Sequence, residues 1–344
     1  MRVAVVNNCV PFLSGGAEHL ADSLVTQLER HGHRAQLFRF PFRWNPLVKI
    51  SESMLAASMC EIDVADRVIG LKFPAYYVQH DTKVLWLLHQ FRQVYDLWGT
   101  EQGLEQTEEA EQVRHSIMRA DNRCFSECQA IYTNSPVTRD RLAQYNAVDA
   151  TVLWPPLGDA DSLRGGDAGD YVLAHGRINS LKRQELVVEA MRHVRTGVRV
   201  VVAGAPETDD DEARLRRIVD EHGLGDRVEL RMRFVDEDEK RDLLAGALAC
   251  AYVPYDEDSY GYVTLEAFQA RKPVVTCVDS GGIGLLVDHG VTGLVADPDP
   301  RALAAAFDEL YRRRDVARAM GAAGLQRVAQ LGITWDNVVE VLTR

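Results

Sequence analysis

Short, largely apolar runs set the limits on this chain: Val3–Val6, Val84–Leu88, Val198–Ala203 and Pro273–Cys277. A strand apolar on both faces must be covered on both, which points to a parallel sheet with helices packed on either side. Helical patterns lie between the runs. Ala17–His31 places Leu20, Leu24, Val25 and Leu28 on one face and ends at Gly32. The alternation runs twice and breaks at Gly158–Asp170, a stretch rich in Gly, Asp and Ser without an apolar face. At 344 residues, two similar halves are the expectation. The predicted fold is therefore α/β, with two doubly wound domains facing each other across a cleft. Residues 1–156 form the first, 157–170 a linker or loop and 171–330 the second. Residues 331–344 form a terminal helix.

The most informative stretch is Val253–Phe268. An apolar strand, Ala247–Val253, closes at Pro254, an acidic loop follows, and Tyr260-Gly261 turns into a helix over Tyr262–Ala270. Such a junction aims unpaired backbone N–H groups and the positive end of a helix at whatever lies beyond the strand tip, which suits a phosphate. Asp258 on the loop and Glu266 in the helix frame it. Carboxylates accept hydrogen bonds from hydroxyl groups, as on a ribose or a sugar. An anion cradle between two hydroxyl acceptors suggests a nucleotide-sugar.

A second cationic element lies upstream. Strand Tyr171–Ala174 runs into His175-Gly-Arg-Ile-Asn-Ser-Leu-Lys182, before a helix over Gln184–His193. Arg177 and Lys182 sit in that connection and can face one anion, Arg with the planar fork that matches phosphate oxygens. In the first half, Pro11-Phe-Leu-Ser-Gly-Gly16 opens a helix at a strand tip, where Gly15 and Gly16 let backbone approach a ligand. It is not the Gly-x-Gly-x-x-Gly pattern of nicotinamide or flavin sites. His89 ends the strand Val84–Leu88. Two readings stand for the aromatic cluster Phe91, Tyr95 and Trp98, either an acceptor pocket on which sugar rings stack or plain core. Glu105–Cys124 reads as one helix.

Composition excludes several classes. A net charge of −12 argues against general nucleic-acid binding. No apolar run approaches the roughly 18 residues of a membrane span, so a cytoplasmic protein is expected, in at most weak peripheral contact with the inner face of the plasma membrane. The six cysteines are scattered, and Cys124 and Cys128 lack a second pair or nearby His that would complete a metal site. Reduced thiols are expected, and no metal. Nothing in the sequence fixes the oligomeric state.

The order Pro-x-x-x-Asp-x-x-Gly-x-x-x-Leu-Glu-Ala, with Gly-Arg-x-x-x-x-Lys upstream, resembles the retaining glycosyltransferases of family 4, also called glycosyl transferases group 1. The resemblance covers nearly the whole chain, is most specific between 171 and 300, and implies the GT-B architecture of two Rossmann-like domains, with the terminal helix at 331–344 crossing back to the first. It implies transfer of a sugar from a nucleotide-diphosphate sugar (a UDP- or GDP-sugar) without a metal or other cofactor. The acceptor would be a sugar, a lipid-linked or a small molecule, in bacterial polysaccharide, glycolipid or other glycoconjugate synthesis. By resemblance Arg177 and Lys182 clamp the diphosphate, Asp258 and His89 lie at the donor sugar, and Glu266 holds the ribose. Gly15, Gly16, Gly261, Tyr262, Val263, Gly281 and Gly282 line the donor, and the loop that contains Phe234 holds the base. Asp258 stands where the family has Glu, and Leu285 where relatives often carry Glu. The rival readings are a catalytically silent nucleotide-sugar binder or assembly protein, and an epimerase on the same fold.

Overall fold

The computed structural model describes residues 1–11 and 15–344. They divide into two compact units, Met1–Gly158 with Ile333–Arg344, and Asp159–Gly332.

The first unit is built on β1 (Arg2–Cys9), α1 (Gly16–Arg30), β2 (Arg34–Pro41), α2 (Val48–Ser58), β3 (Arg67–Gly70), β4 (Lys83–Leu87), α3 (Glu108–Glu127), β5 (Ala130–Thr133), α4 (Pro136–Asn146) and β6 (Thr151–Val152). Its six strands are parallel in the order β2-β1-β3-β4-β5-β6. Val5 pairs with Leu37 on one side and Ile69 on the other, so the apolar run at the start of the chain becomes a central strand. The α3 helix begins at Glu108, later than the sequence pattern suggests, because Thr107 caps it by accepting the Ala110 N–H at 3.2 Å. Phe91 and Tyr95 are core. Both are buried, and Phe91 stacks on Phe73 with ring centroids 5.0 Å apart.

The second unit contains β7 (Tyr171–His175), α5 (Gln184–Ala190), β8 (Arg199–Ala203), α6 (Asp209–Glu221), β9 (Val228–Arg231), α7 (Glu237–Gly246), β10 (Ala249–Ala251), α8 (Tyr262–Gln269), β11 (Val274–Cys277), β12 (Gly293–Ala296), α9 (Pro300–Arg312) and α10 (Arg314–Gln330). Its parallel order is β12-β11-β10-β7-β8-β9. Val172, Val200 and Val275 from the sheet, Val188 from α5 and Leu303 and Phe307 from α9 share one buried core. Of residues 157–170, expected as linker or loop, 159–170 carry only a short turn at Ala160–Ser162 and pack on this unit, where the Gly169 N–H donates to Gly246 O at 3.0 Å.

The chain returns to the first unit through α11 (Trp335–Thr343). There Trp335 meets Trp86 edge to face at 6.3 Å and donates its indole N–H to Leu157 O at 2.7 Å. No helix among the described residues is long and apolar enough to cross a membrane.

Candidate functional site

In the second sheet the strand order reverses between β7 and β10, which lie side by side and send their helices to opposite directions of the winding. Ligands of open α/β sheets bind beyond the carboxyl ends of the strands at such a reversal. The two stretches singled out in the sequence are the loops that leave these two strands.

The loop after β7 begins at Gly176, with φ of 110°. A Cβ placed there would lie 3.6 Å from the Val263 side chain, so this loop meets the start of α8 directly. Lys182 ends the loop. Its Nζ donates to the Tyr252 hydroxyl at 2.9 Å and to Glu257 Oε2. Arg183, in the left-handed region at φ 52°, braces the site from below. Its guanidinium takes both oxygens of Asp279 at 2.7 Å, and Val253 O and Pro254 O at 2.7 and 2.8 Å. It therefore ties the loops after β7, β10 and β11 together. Arg177 lies 4.0 Å from Glu207 and is 45 % exposed on its side chain.

The loop after β10 turns at Gly261, with φ of 67°. A Cβ there would meet Tyr252 Cε1 at 2.3 Å and the Tyr252 hydroxyl oxygen at 3.0 Å, so only glycine fits both the backbone and the packing. The phenol thus lies between the backbone that starts α8 and the Lys182 ammonium, which sits 5.3 Å from its ring centroid. Tyr262 and Val263 form the first turn of α8.

One turn further, Glu266 is largely covered, its side chain 12 % exposed. His175 Nε2 lies 2.8 Å from its Oε2, and Lys240 Nζ donates to Oε1 at 2.7 Å. Burial alone would raise this carboxyl, but the bond to His175 and the charge of Lys240 hold it at about 2. Lys240 comes from α7, and despite burial Glu266 and Glu237 raise its pKa. The other ring nitrogen of His175, Nδ1, is buried with no partner among the described residues.

Gly281 and Gly282 lie under the acidic loop. Gly281, at φ 62°, would bring a Cβ within 2.6 Å of Glu257 O, and Gly282 within 2.7 Å of the Ser259 backbone. The Gly282 N–H donates to Glu257 O at 2.7 Å, so these glycines shape the loop that carries Glu257 and Asp258. Phe234 stands beyond the end of β9, 79 % exposed. The expected residues Arg177, Lys182, Asp258, Gly261, Tyr262, Val263, Glu266, Gly281 and Gly282 thus lie on loops or a helix start that leave β7, β10 and β11.

Two groups of expected residues belong to the first unit. Gly15 caps α1, and its N–H donates to Glu18 Oε2 at 3.0 Å; Gly16 is the first residue of that helix. The part of this loop at 12–14, Phe-Leu-Ser, lies outside the described residues. His89 follows β4, with Nδ1 2.6 Å from Gln90 O; burial, aided by Lys72, lowers its pKa to about 3, so the imidazole is neutral. Sequence reasoning did not find His175, Arg183, Lys240 or Tyr252. The one available signal was the Lys182-Arg183 pair, of which only Lys182 was singled out.

A doubly wound sheet with cations and a helix start gathered at its strand-order reversal is an α/β unit with the features of an anion site. The family described as Glycosyl transferases group 1 matches residues 164–327. Human alpha-1,3/1,6-mannosyltransferase ALG2 is 29 % identical over 217 residues, 56 % of this chain and 51 % of that protein. The D-inositol 3-phosphate glycosyltransferase of Geodermatophilus obscurus is 30 % identical over 249 residues, 64 % of this chain and 53 % of that one. The chain spans about half the length of these curated relatives. Among solved structures, Anabaena HepE in complex with UDP and glucose superposes with a TM-score of 0.73 at 17 % identity, covering 100 % of this chain and 99 % of that one. Sucrose-phosphate synthase from Thermosynechococcus elongatus gives 0.76 at 19 %, covering 99 % and 97 %. At such identities the likeness establishes the fold, which is the two-domain GT-B arrangement of α/β units.

Proposed function

We propose that the chain is a retaining, metal-independent glycosyltransferase of family 4 that moves a sugar from a UDP- or GDP-sugar to an acceptor hydroxyl. The observation that carries this reading is the Lys182–Tyr252–Gly261 arrangement, in which one phenol ring joins a flexible ammonium to the start of α8 at the strand-order reversal. In the reaction the bond from the anomeric carbon to the diphosphate breaks, the acceptor oxygen forms the new bond, and the electron pair leaves on the diphosphate. Lys182, Arg177 and the α8 N-terminus take up that growing charge. The departing phosphate oxygen takes the acceptor's proton. Glu266 holds the ribose hydroxyls, oriented by His175 and Lys240. Asp258, with His89, takes the donor sugar, Gly15, Gly16, Gly281 and Gly282 line the donor, and Phe234 lies against the base. The names of the relatives, a mannosyltransferase and an inositol phosphate glycosyltransferase, support a sugar donor of this type, and HepE was solved with UDP. The acceptor is a sugar, lipid-linked or small-molecule hydroxyl, met in the cytoplasm or at the inner face of the plasma membrane.

Calorimetric titration with UDP, GDP and their sugars, with and without chelator, tests the donor site. Binding of one nucleotide, unchanged by chelator, is expected. NMR of the transferred sugar should then show the donor's anomeric configuration. Inversion would reject the retaining mechanism, and absence of binding by every nucleotide would reject the donor site.

A further inference from the structure

The cations at the carboxyl edge of the second sheet face carboxylates of the same unit, but the pairs differ in kind. Arg183 grips Asp279 with both arms and two backbone carbonyls besides, and is 17 % exposed. That fork is fixed by geometry. Lys182 meets Glu257 through one ammonium and one carboxylate oxygen, with side chains 26 % and 25 % exposed. Tyr252 bridges the two, with its hydroxyl 2.9 Å from Nζ and 3.1 Å from Oε2. An ammonium is a point charge with rotatable donors, so it changes partners without breaking a planar match.

The backbone around Glu257 is fixed. Its carbonyl accepts the Gly282 N–H at 2.7 Å, and the preceding Asp256 N–H donates to Asp279 O at 3.0 Å. Asp279 is in turn held by Arg183. The Lys182 side chain is steadied by Tyr252, whose ring is pressed against Gly261. What remains able to move is the Glu257 side chain.

We infer that Glu257 is a built-in competitor for the donor's diphosphate. Its carboxylate holds Lys182 until phosphate oxygens take the ammonium over, and it reclaims the ammonium as the nucleoside diphosphate product leaves. This rests on the reading of Lys182 as a diphosphate-binding cation. Competition of this kind lowers apparent affinity by the fraction of molecules in which Lys182 is already taken. It also speeds release of the spent nucleotide, a step that limits many well-evolved enzymes.

The test is calorimetric titration of UDP and GDP, at one ionic strength, against the wild-type chain, E257Q, K182A and K182A/E257Q. Glutamine keeps the size and an acceptor oxygen for the Tyr252 hydroxyl but loses the charge. The nucleotide that binds should bind E257Q about fivefold more tightly, the factor expected from a part-exposed ion pair. In the K182A background the same change should have no effect. Nucleotide binding that depends on Lys182 but is no tighter in E257Q would overturn the competitor while leaving the donor site standing. No binding by the wild-type chain, with K182A no different, would remove both. Should E257Q not fold, E257D, one methylene short of Lys182, carries the same expectation.

Discussion

Two clusters, one in each unit, place charge in opposite ways. The one in the first unit buries it among neutral dipoles. Asp121 is fully buried and accepts from the hydroxyls of Tyr76, Tyr77 and Tyr95 at 2.8, 2.7 and 2.7 Å. Lys83, 1 % exposed, donates to the carbonyls of Tyr76 and Val78, both at 3.1 Å. The cluster in the second unit sets charge against charge, as in Lys182 with Glu257 and Lys240 with Glu266. Dipoles fixed in a core hold one ion in one place and make structure. A part-exposed pair of opposite ions can accept a third ion in exchange, which is what an anion site requires. On the function proposed above, the first set of charges is architecture and the second is chemistry.

The largest expected effect tests that assignment. Lys182→Ala should lower the rate of sugar transfer by about 10²–10³, the usual loss when one preplaced group is removed from a developing negative charge. Thermal unfolding should change little, because a part-exposed ion pair contributes about 1 kcal/mol or less. Retention of most of the rate, measured by product formation at saturating donor, would move Lys182 into the structural class.

The next effect separates the units by pH. Burial raises Asp121 to about 6 from an ordinary 3.8. The folded state therefore favours its neutral form, and the stability it adds below pH 3.8 is lost as pH rises through 6. Glu266 is held at about 2 against an ordinary 4.5, so its contribution is present above pH 4.5 and is lost as pH falls through 2. Each is worth about 3 kcal/mol. Urea unfolding across pH should show Asp121→Asn abolishing the loss between pH 4 and 6, and Glu266→Gln abolishing the loss on the acid side. Equal pH profiles for the two variants would dissolve the contrast between the units.

The same contrast explains what was legible in the sequence. The alternation of apolar runs and helices foretold two parallel sheets, because buried strands and amphipathic helices leave periodic traces. Lys182, Gly261 and Glu266 were legible because each lies in a short local pattern with a chemical meaning. Their partners were not. His175 and Glu266 are 91 residues apart, Lys240 and Glu266 26, and Arg183 and Asp279 96, and no period within one element records such pairs. Lys240 was masked further by the acidic residues that start its helix, Glu237, Asp238 and Glu239. Strand lengths were overread where apolar residues stay buried beyond the ladder. The run Ala247–Val253 forms only Ala249–Ala251 as strand, although Tyr252 and Val253 remain in the core.

The smallest expected effect compares two exposed apolar side chains, one in each unit. Phe234 is 79 % exposed and Met59 is 76 % exposed. Neither should matter to folding, and alanine at either should shift stability by less than about 0.5 kcal/mol. They differ in what stands around them. The Phe234 loop is braced by Arg233, which donates to Phe234 O at 3.0 Å and to both oxygens of Glu239 at 2.7 and 2.8 Å. An exposed ring on a braced loop offers a nucleobase a flat face, and such stacking is worth roughly 1–3 kcal/mol. Phe234→Ala should therefore weaken nucleoside diphosphate binding at least about fivefold, Phe234→Trp should restore it, and Met59→Ala should leave it unchanged. Equal, negligible losses in the two alanine variants would remove Phe234 from the base site and leave the nucleotide held by its phosphates and ribose alone.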